Sequence, residues 1–237
     1  MALPVVSNPT YELKLHSVDH KIKYRPFLVK EEKILLTALE GGLTEDIVRA
    51  TKEIISNCCL DDSIDVQKLP AFDIELFFLN LRARSVGETV EIQMACQKTK
   101  DCEGETPVKV NLEKIGLEIN KDHTDEIKLT NKIKVKLKYP DIDRMTRPPE
   151  ESQMDSIFEI TKACIESIWE DDEIHDIRDY TEQELEDFIM SLNQQQFGKL
   201  IGYFNTMPKL KHKVEFTCPT CGSKQESVLE GLQSFFG

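Results

Sequence analysis

Apolar and polar residues alternate through much of residues 10–26, on both sides of the polar stretch Ser17-Val18-Asp19-His20. A period of two flanking a short polar turn predicts a β-hairpin. From Val29 to about Leu39 the chain is rich in Glu, Lys, Leu and Ala and stops at Gly41-Gly42, which predicts a helix. Thr44 stands where an N-cap oxygen would start a second helix carrying Ile47, Ile54, Ile55 and Cys58. Beyond Pro70, residues Ile74, Phe77, Phe78 and Leu81 fall at i, i+3, i+4 and i+7, one apolar stripe of a third helix.

From Val90 to Tyr139 the period returns to two, with strands expected at 90–95, 108–112, 127–130 and 133–138. Tyr139-Pro140 ends this stretch and Arg147-Pro148-Pro149 opens a second helical block. In that block Met154, Ile157, Phe158, Cys164, Ile165 and Ile168 make one stripe. Thr181 and Glu184 form a capping box ahead of Leu185, Phe188, Ile189 and Leu192. Phe197, Leu200, Ile201 and Phe204 repeat the helical spacing before Pro208, and residues 211–230 are again β-like around two cysteines. The expected fold is α+β without βαβ alternation. An N-terminal hairpin and helical region spans 1–86, a central antiparallel, zinc-ribbon-like β module joins 87–140 to 208–237, and an acidic helical insertion occupies 141–207.

At 237 residues, with 40% hydrophobic and 31% charged residues, the chain has material for one large or two modest domains with a real core, which excludes a disulfide-stapled mini-protein and a wholly disordered chain. No window approaches eighteen apolar residues and the first residues lack a signal-peptide pattern, so the expected place is the cytoplasm, without membrane insertion. The net charge of −13 argues against nucleic-acid binding over the general surface. That charge is local: residues 150–187 hold fifteen acids against Lys162 and Arg178, and the rest of the chain is balanced. The densest run, Glu170-Asp171-Asp172-Glu173, reads as a solvated helical face and loop or as a surface for a basic partner or neighbouring subunit. Lys132, Lys134, Lys136 and Lys138 share one strand face, either protecting a sheet edge or binding a partner.

Four of the seven cysteines form two pairs, Cys96 with Cys102 and Cys218 with Cys221, each after a strand whose apolar parity includes the leading cysteine. Cys218-Pro-Thr-Cys221-Gly222 has zinc-knuckle spacing, with a glycine for the tight turn. The first pair is spaced by five residues rather than the usual two to four. Three readings stand: one structural zinc held by all four sulfurs, a metal-free or disulfide-prone remnant, and a redox motif, although the βαβ context of a thioredoxin-type site is missing. Four sulfurs around one ion would leave no position for catalysis and would tie the central β segment to the last hairpin. Cys58, Cys59 and Cys164 read as small core residues on helices. His212 is a conceivable alternative ligand, whereas His16 and His20 flank a hairpin turn. No phosphate-loop, dinucleotide, metalloprotease or nucleophile-elbow motif occurs, and no enzyme activity, catalytic residue or small-molecule substrate is expected.

The segments Ile22-Lys-Tyr-Arg-Pro-Phe-Leu-Val-Lys-Glu-Glu-Lys-Ile-Leu-Leu, Leu79-Asn-Leu-Arg-Ala-Arg-Ser-Val-Gly-Glu and Ile133-Lys-Val-Lys-Leu-Lys-Tyr-Pro, with the two cysteine pairs, resemble the T4-type bacteriophage baseplate hub and hub-assembly proteins. The resemblance implies a non-enzymatic virion part or assembly factor of a contractile tail, made in the infected cytoplasm. Its partners would be other hub or wedge subunits or a second copy of the chain. The alternative from another class is a zinc-ribbon adaptor acting on transcription machinery or nucleic acid, with the lysine strand against phosphates.

Overall fold

The computed structural model describes residues 6–98, 102–146 and 152–235. Arg147-Pro148-Pro149, expected to open a helical block, lies outside them, as do residues 99–101 of the loop joining the first cysteine pair. In chain order the elements are β1 (Tyr11–Lys14), β2 (Lys21–Tyr24), α1 (Val29–Gly41), α2 (Thr44–Cys58), α3 (Ala71–Ser85), β3 (Thr89–Ala95), β4 (Glu105–Asn111) and β5 (Gly116–Glu118). There follow β6 (Glu126–Lys128), β7 (Ile133–Leu137), α4 (Ile142–Thr146), α5 (Gln153–Cys164), β8 (Ile165–Glu170), β9 (Glu173–Asp176), α6 (Glu182–Met190), α7 (Gln194–Thr206), β10 (Lys209–Thr217) and β11 (Lys224–Glu230). The mixed α+β architecture and its antiparallel sheets match the sequence expectation.

Two compact units emerge. One joins the described residues through Glu118 to those from Lys209 onward, and the other is Ile119–Pro208. The division differs from the expected three segments, because β6 and β7 pair with β8 and β9 instead of with the cysteine-bearing hairpins.

The first unit is organised around α3. The expected single stripe proves too narrow: Phe72, Ile74, Leu76, Phe77, Phe78, Leu79 and Leu81 are all buried, as a helix apolar on nearly every side must be. The β1–β2 hairpin runs in register from Tyr11↔Tyr24 to Lys14↔Lys21, and the Tyr24 ring meets Phe77 edge-on with centroids 5.4 Å apart. Helix α2 adds buried Ile54, Ile55 and Cys58. Its expected cap is shifted: Leu43 is the N-cap residue, Thr44 is already helical, and no side chain caps the end, while Glu45 and Asp46 complement the helix dipole.

Two buried carboxylates fix this unit. Asp73 on α3 is fully buried and accepts the backbone N–H groups of His16 at 2.9 Å and Ser17 at 2.8 Å, so it replaces water at the hairpin turn. Glu31 on α1, also fully buried, accepts from the Leu28 N–H at 2.8 Å and pairs with Arg25 Nη2 at 3.0 Å. Arg25 also donates to the Asn57 carbonyl at 2.8 Å, and thereby joins the end of β2, the start of α1 and the end of α2. Burial opposes ionisation of Glu31, but the Arg25 and Leu28 donors outweigh it and hold the carboxyl below its ordinary value.

The second unit is a four-stranded antiparallel sheet, β6-β7-β8-β9, whose inner face carries Leu129, Val135, Leu137 and Ile165 against Leu185, Ile189, Leu200 and Tyr203 of α6 and α7. The expected acidic helical block is corrected here. Helix α5 stops at Cys164, and the stripe continued through Ile165 and Ile168 belongs to a strand, since Ile165-Glu-Ser-Ile-Trp-Glu offers β-branched and aromatic residues to the open edge of β7. Glu170-Asp171-Asp172-Glu173 is the turn of the β8–β9 hairpin, with Asp171 at φ 50, a conformation that a short Asp side chain tolerates. The lysine strand β7 is central in the sheet, so edge protection is excluded; its Lys136 meets Glu166 at 3.0 Å, and Lys132 just before it meets Asp171 at 3.7 Å, both acids of the same unit. The expected capping box at α6 is present, with the Thr181 N–H donating to Glu184 at 2.8 Å.

Removing the buried acceptor by Asp73→Ala should lower unfolding free energy by about 2–4 kcal/mol, because two backbone donors lose a charged partner. A urea titration showing no change in midpoint would refute that role. Glu31→Gln should cost about 3 kcal/mol at pH 7 by leaving Arg25 without its counter-ion. Since the folded-state value lies below the ordinary 4.5, this stabilisation is complete above that pH and is lost as pH falls through the lower folded value. The gap between wild type and variant should therefore be constant at neutral pH and close on acidification; a gap unaffected by acid contradicts the linkage.

Candidate metal centre

Alternation along β3 buries Ile92 and Met94 and carries Cys96 forward on the same parity, just beyond the strand end. Along β10 the buried residues Val214 and Phe216 lead in the same way to Cys218. The β3–β4 hairpin closes where the Cys96 N–H donates to the Gly104 carbonyl at 2.9 Å. In the other hairpin the Cys218 N–H donates to Ser223 O at 3.0 Å and the Gly222 N–H to Cys218 O at 2.9 Å. Gly222 has φ 70, the left-handed conformation that the knuckle turn needs.

These two tips bring Cys96, Cys102, Cys218 and Cys221 together, with all four sulfurs within 4.8 Å of one another. Two close approaches cross between hairpins: Cys96 Sγ to Cys221 Sγ and Cys102 Sγ to Cys218 Sγ are each 3.7 Å. All four are free thiols, far beyond the disulfide bond length of about 2.0 Å. A tetrahedral ion holding sulfurs at about 2.3 Å separates neighbouring sulfurs by about 3.8 Å. The cluster thus has the donor set and spacing of a four-sulfur metal site, and the five-residue gap before Cys102 does not keep its sulfur out. Cys218 is buried, Cys96 and Cys102 are half-buried and Cys221 is exposed, so the cluster lies near the surface.

Polar neighbours favour thiolate at two corners. The Lys98 backbone N–H and the Gln225 side chain bring Cys96 down to about 6, with Gln225 Nε2 donating to its sulfur at 3.1 Å. Gln225 is held in turn by the Gln97 N–H, which donates to its Oε1 at 2.8 Å. Ser223, 3.1 Å from the Cys221 sulfur, lowers that thiol. At Cys102 the Gly104 N–H acts in the same sense, but burial and the adjoining sulfurs prevail and push the thiol up to about 11. Four thiols this close cannot all ionise without a cation among them.

Sequence spacing does not single out Gly104, Gln225 or Ser223. The signal for Gly104 is steric: a Cβ there would lie 2.6 Å from Cys218 Sγ and 2.7 Å from Thr220 Oγ1. Ser223 and Gln225 lie close after Cys221, but their role depends on a loop more than a hundred residues away. His212 is not in the cluster; it lies in β10 opposite Leu229. His20 instead meets Asp61, 2.8 Å away. Cys58 and Cys164 are buried helix-end residues whose burial raises their thiols to about 11 and about 12, while Cys59 lies just past the end of α2.

Gly104→Ala should displace the Cys218 knuckle and weaken metal binding by about tenfold or more, with the helices unaffected. Titration with Co²⁺, followed by its sulfur-to-metal charge-transfer absorption, measures the loss; equal affinity in the variant would show that the close approach is unimportant.

The family profile described as T4 bacteriophage base plate protein matches residues 8–237. The baseplate hub assembly protein gp26 of Enterobacteria phage T4 is 29% identical over 216 residues, covering 91% of this chain and 92% of that protein. No solved structure matches. Because the profile takes in both hairpins of the cysteine cluster and both compact units, the correspondence belongs to the whole architecture: the chain belongs to the T4 bacteriophage base plate protein family.

Proposed function

We propose that this chain is a non-catalytic component of baseplate hub construction, stabilised by one zinc ion on Cys96, Cys102, Cys218 and Cys221, and acting through contacts with other hub or wedge subunits in the infected cell or the finished tail. The observation that carries the reading is likeness over about nine-tenths of both chains to a protein named for hub assembly. The cysteine cluster supports the metal half, since four sulfurs at tetrahedral spacing fit zinc and a site filled by four protein ligands offers no position to a substrate. Zinc here would join hairpins whose cysteines are 116 and 125 positions apart, and so contribute directly to folding. No helix is long and apolar enough to cross a membrane among the described residues.

The nucleic-acid adaptor reading finds less support: the lysine strand lies inside a sheet, and Lys136 and Lys132 are already matched by Glu166 and Asp171. The purified chain should contain one zinc per molecule by elemental analysis. Chelation should lower amide protection in β3–β4 and β10–β11 before the helices around α3 melt. A zinc-free protein with both hairpins fully protected would remove the metal half. Failure to co-purify with baseplate subunits from infected cells would remove the hub half.

A further inference from the structure

In the second unit a groove of about 340 Å³ opens between the inner face of β7, β8 and β9 and helix α6. Its floor is Ile133, Ile168, Ile177, Leu185 and Phe188, and its rim carries Glu170, Glu184, His175 and Tyr180. This volume suits one or two large apolar side chains. The rim provides carboxylates and no lysine or arginine, which disfavours nucleotides, phosphates and acidic ligands.

The register supplies a second observation. Glu170 and Glu173 are directly opposite one another in the β8–β9 ladder, as are Ile168 and His175, and alternation puts all four on the groove face. Like charges directly opposite each other are destabilising. Among the described residues no salt bridge reaches either carboxylate: Lys132 is matched to Asp171, Lys162 to Glu159 and Arg178 to Asp176.

We infer that this groove docks a basic amphipathic segment of another protein, its apolar side chains filling the Ile133–Ile168–Phe188 floor and a lysine or arginine lying between Glu170 and Glu173. The charge complementarity commits the occupant to a cationic peptide. The inference deepens the hub reading by assigning it a contact surface, and it rests on that reading for the partner's origin in the baseplate.

The test uses the full-length protein and three labelled peptides in anisotropy titrations. One has Leu and Phe at i, i+3, i+4 and i+7 with Lys between them, the second replaces Lys by Glu, and the third keeps Lys but replaces the apolar anchors by Gln. Only the first should bind appreciably. Glu170→Lys with Glu173→Lys should weaken it by about tenfold, while the equal charge change Glu45→Lys with Glu53→Lys on α2 should leave it nearly unchanged. Binding of the anchor-free peptide with equal strength, equal loss in both double variants, or no binding of the first peptide overturns the inference. So does self-association of the protein that competes with the peptide, because the occupant would then be a second copy. Co-purification from infected cells separates the two claims. Wild type retained by baseplate subunits with the Glu170/Glu173 variant equally retained sinks the groove alone, whereas loss of wild-type retention sinks the hub reading.

Discussion

The pairing of β5 with β10 is the constraint on which the rest of the chain's organisation depends. Glu118, the last residue of the first unit before the insertion, is directly opposite Lys209, the first residue after it, and Leu117 and Gly116 continue the ladder against Leu210 and Lys211. The chain therefore leaves and re-enters the first unit at adjacent positions of one sheet. Residues Ile119–Pro208 can then fold as a body closed at its stem, and their length does not set where β10 must lie. Closing a loop of this size costs entropy that grows only slowly with length, so a strand ladder and a buried Leu210 can hold it.

The cysteine cluster follows from that closure. Once β10 is fixed beside β5, its continuation to Thr217 carries Cys218 to the tip of one hairpin, while β3 and β4 present Cys96 and Cys102 at the tip of another. At the opposite end of the same sheet Glu75 of α3 accepts the Leu232 N–H at 3.1 Å, just past Gly231, whose N–H donates to Leu210 O at 3.0 Å. Burial raises the Glu75 carboxyl above its ordinary value, against the lowering effect of the Leu232 donor. The β10–β11 hairpin is thus anchored to the helical core at its base and left to meet its sulfur partners at its tip. This arrangement separates the stability of the core from that of the cluster.

Local signals in the sequence identified what short-range physics decides. The β1–β2 hairpin, helices α1, α2, α3, α6 and α7 and the capping box of α6 are readable from periodicity, glycine stops and Thr-x-x-Glu. Cys96, Cys218 and Cys221 were also legible, because strand parity and CxxC spacing express where a sulfur must point; Cys102 was legible only as the second cysteine of a widely spaced pair. Gly104 and Gln225 were not, since their importance comes from a chain segment distant in sequence. The strand β8 was hidden for a related reason. Ile165 and Ile168 are three apart, which reads as a helix; in β8 both reach one core only because the pairing with β7 shifts register between Lys136 and Leu137, a bulge that period two does not reveal.

That correction also changes what the acidic segment is. On a long helix, fifteen carboxylates would be spread around a solvated surface. Six of them lie instead on the β8–β9 hairpin, where period two puts Glu170 and Glu173 together on the side that bears Ile168, whereas Asp171 in the turn reaches Lys132. On this hairpin, strand geometry and not density in the sequence decides which of Glu170, Asp171 and Glu173 is matched within the chain. Glu170 also lines the apolar groove, where the lower local dielectric strengthens its demand for a cation. Within the β8–β9 hairpin, the local acidity thus separates into Asp171, Glu166 and Asp176, each matched to a cation, and the Glu170–Glu173 pair, which is not.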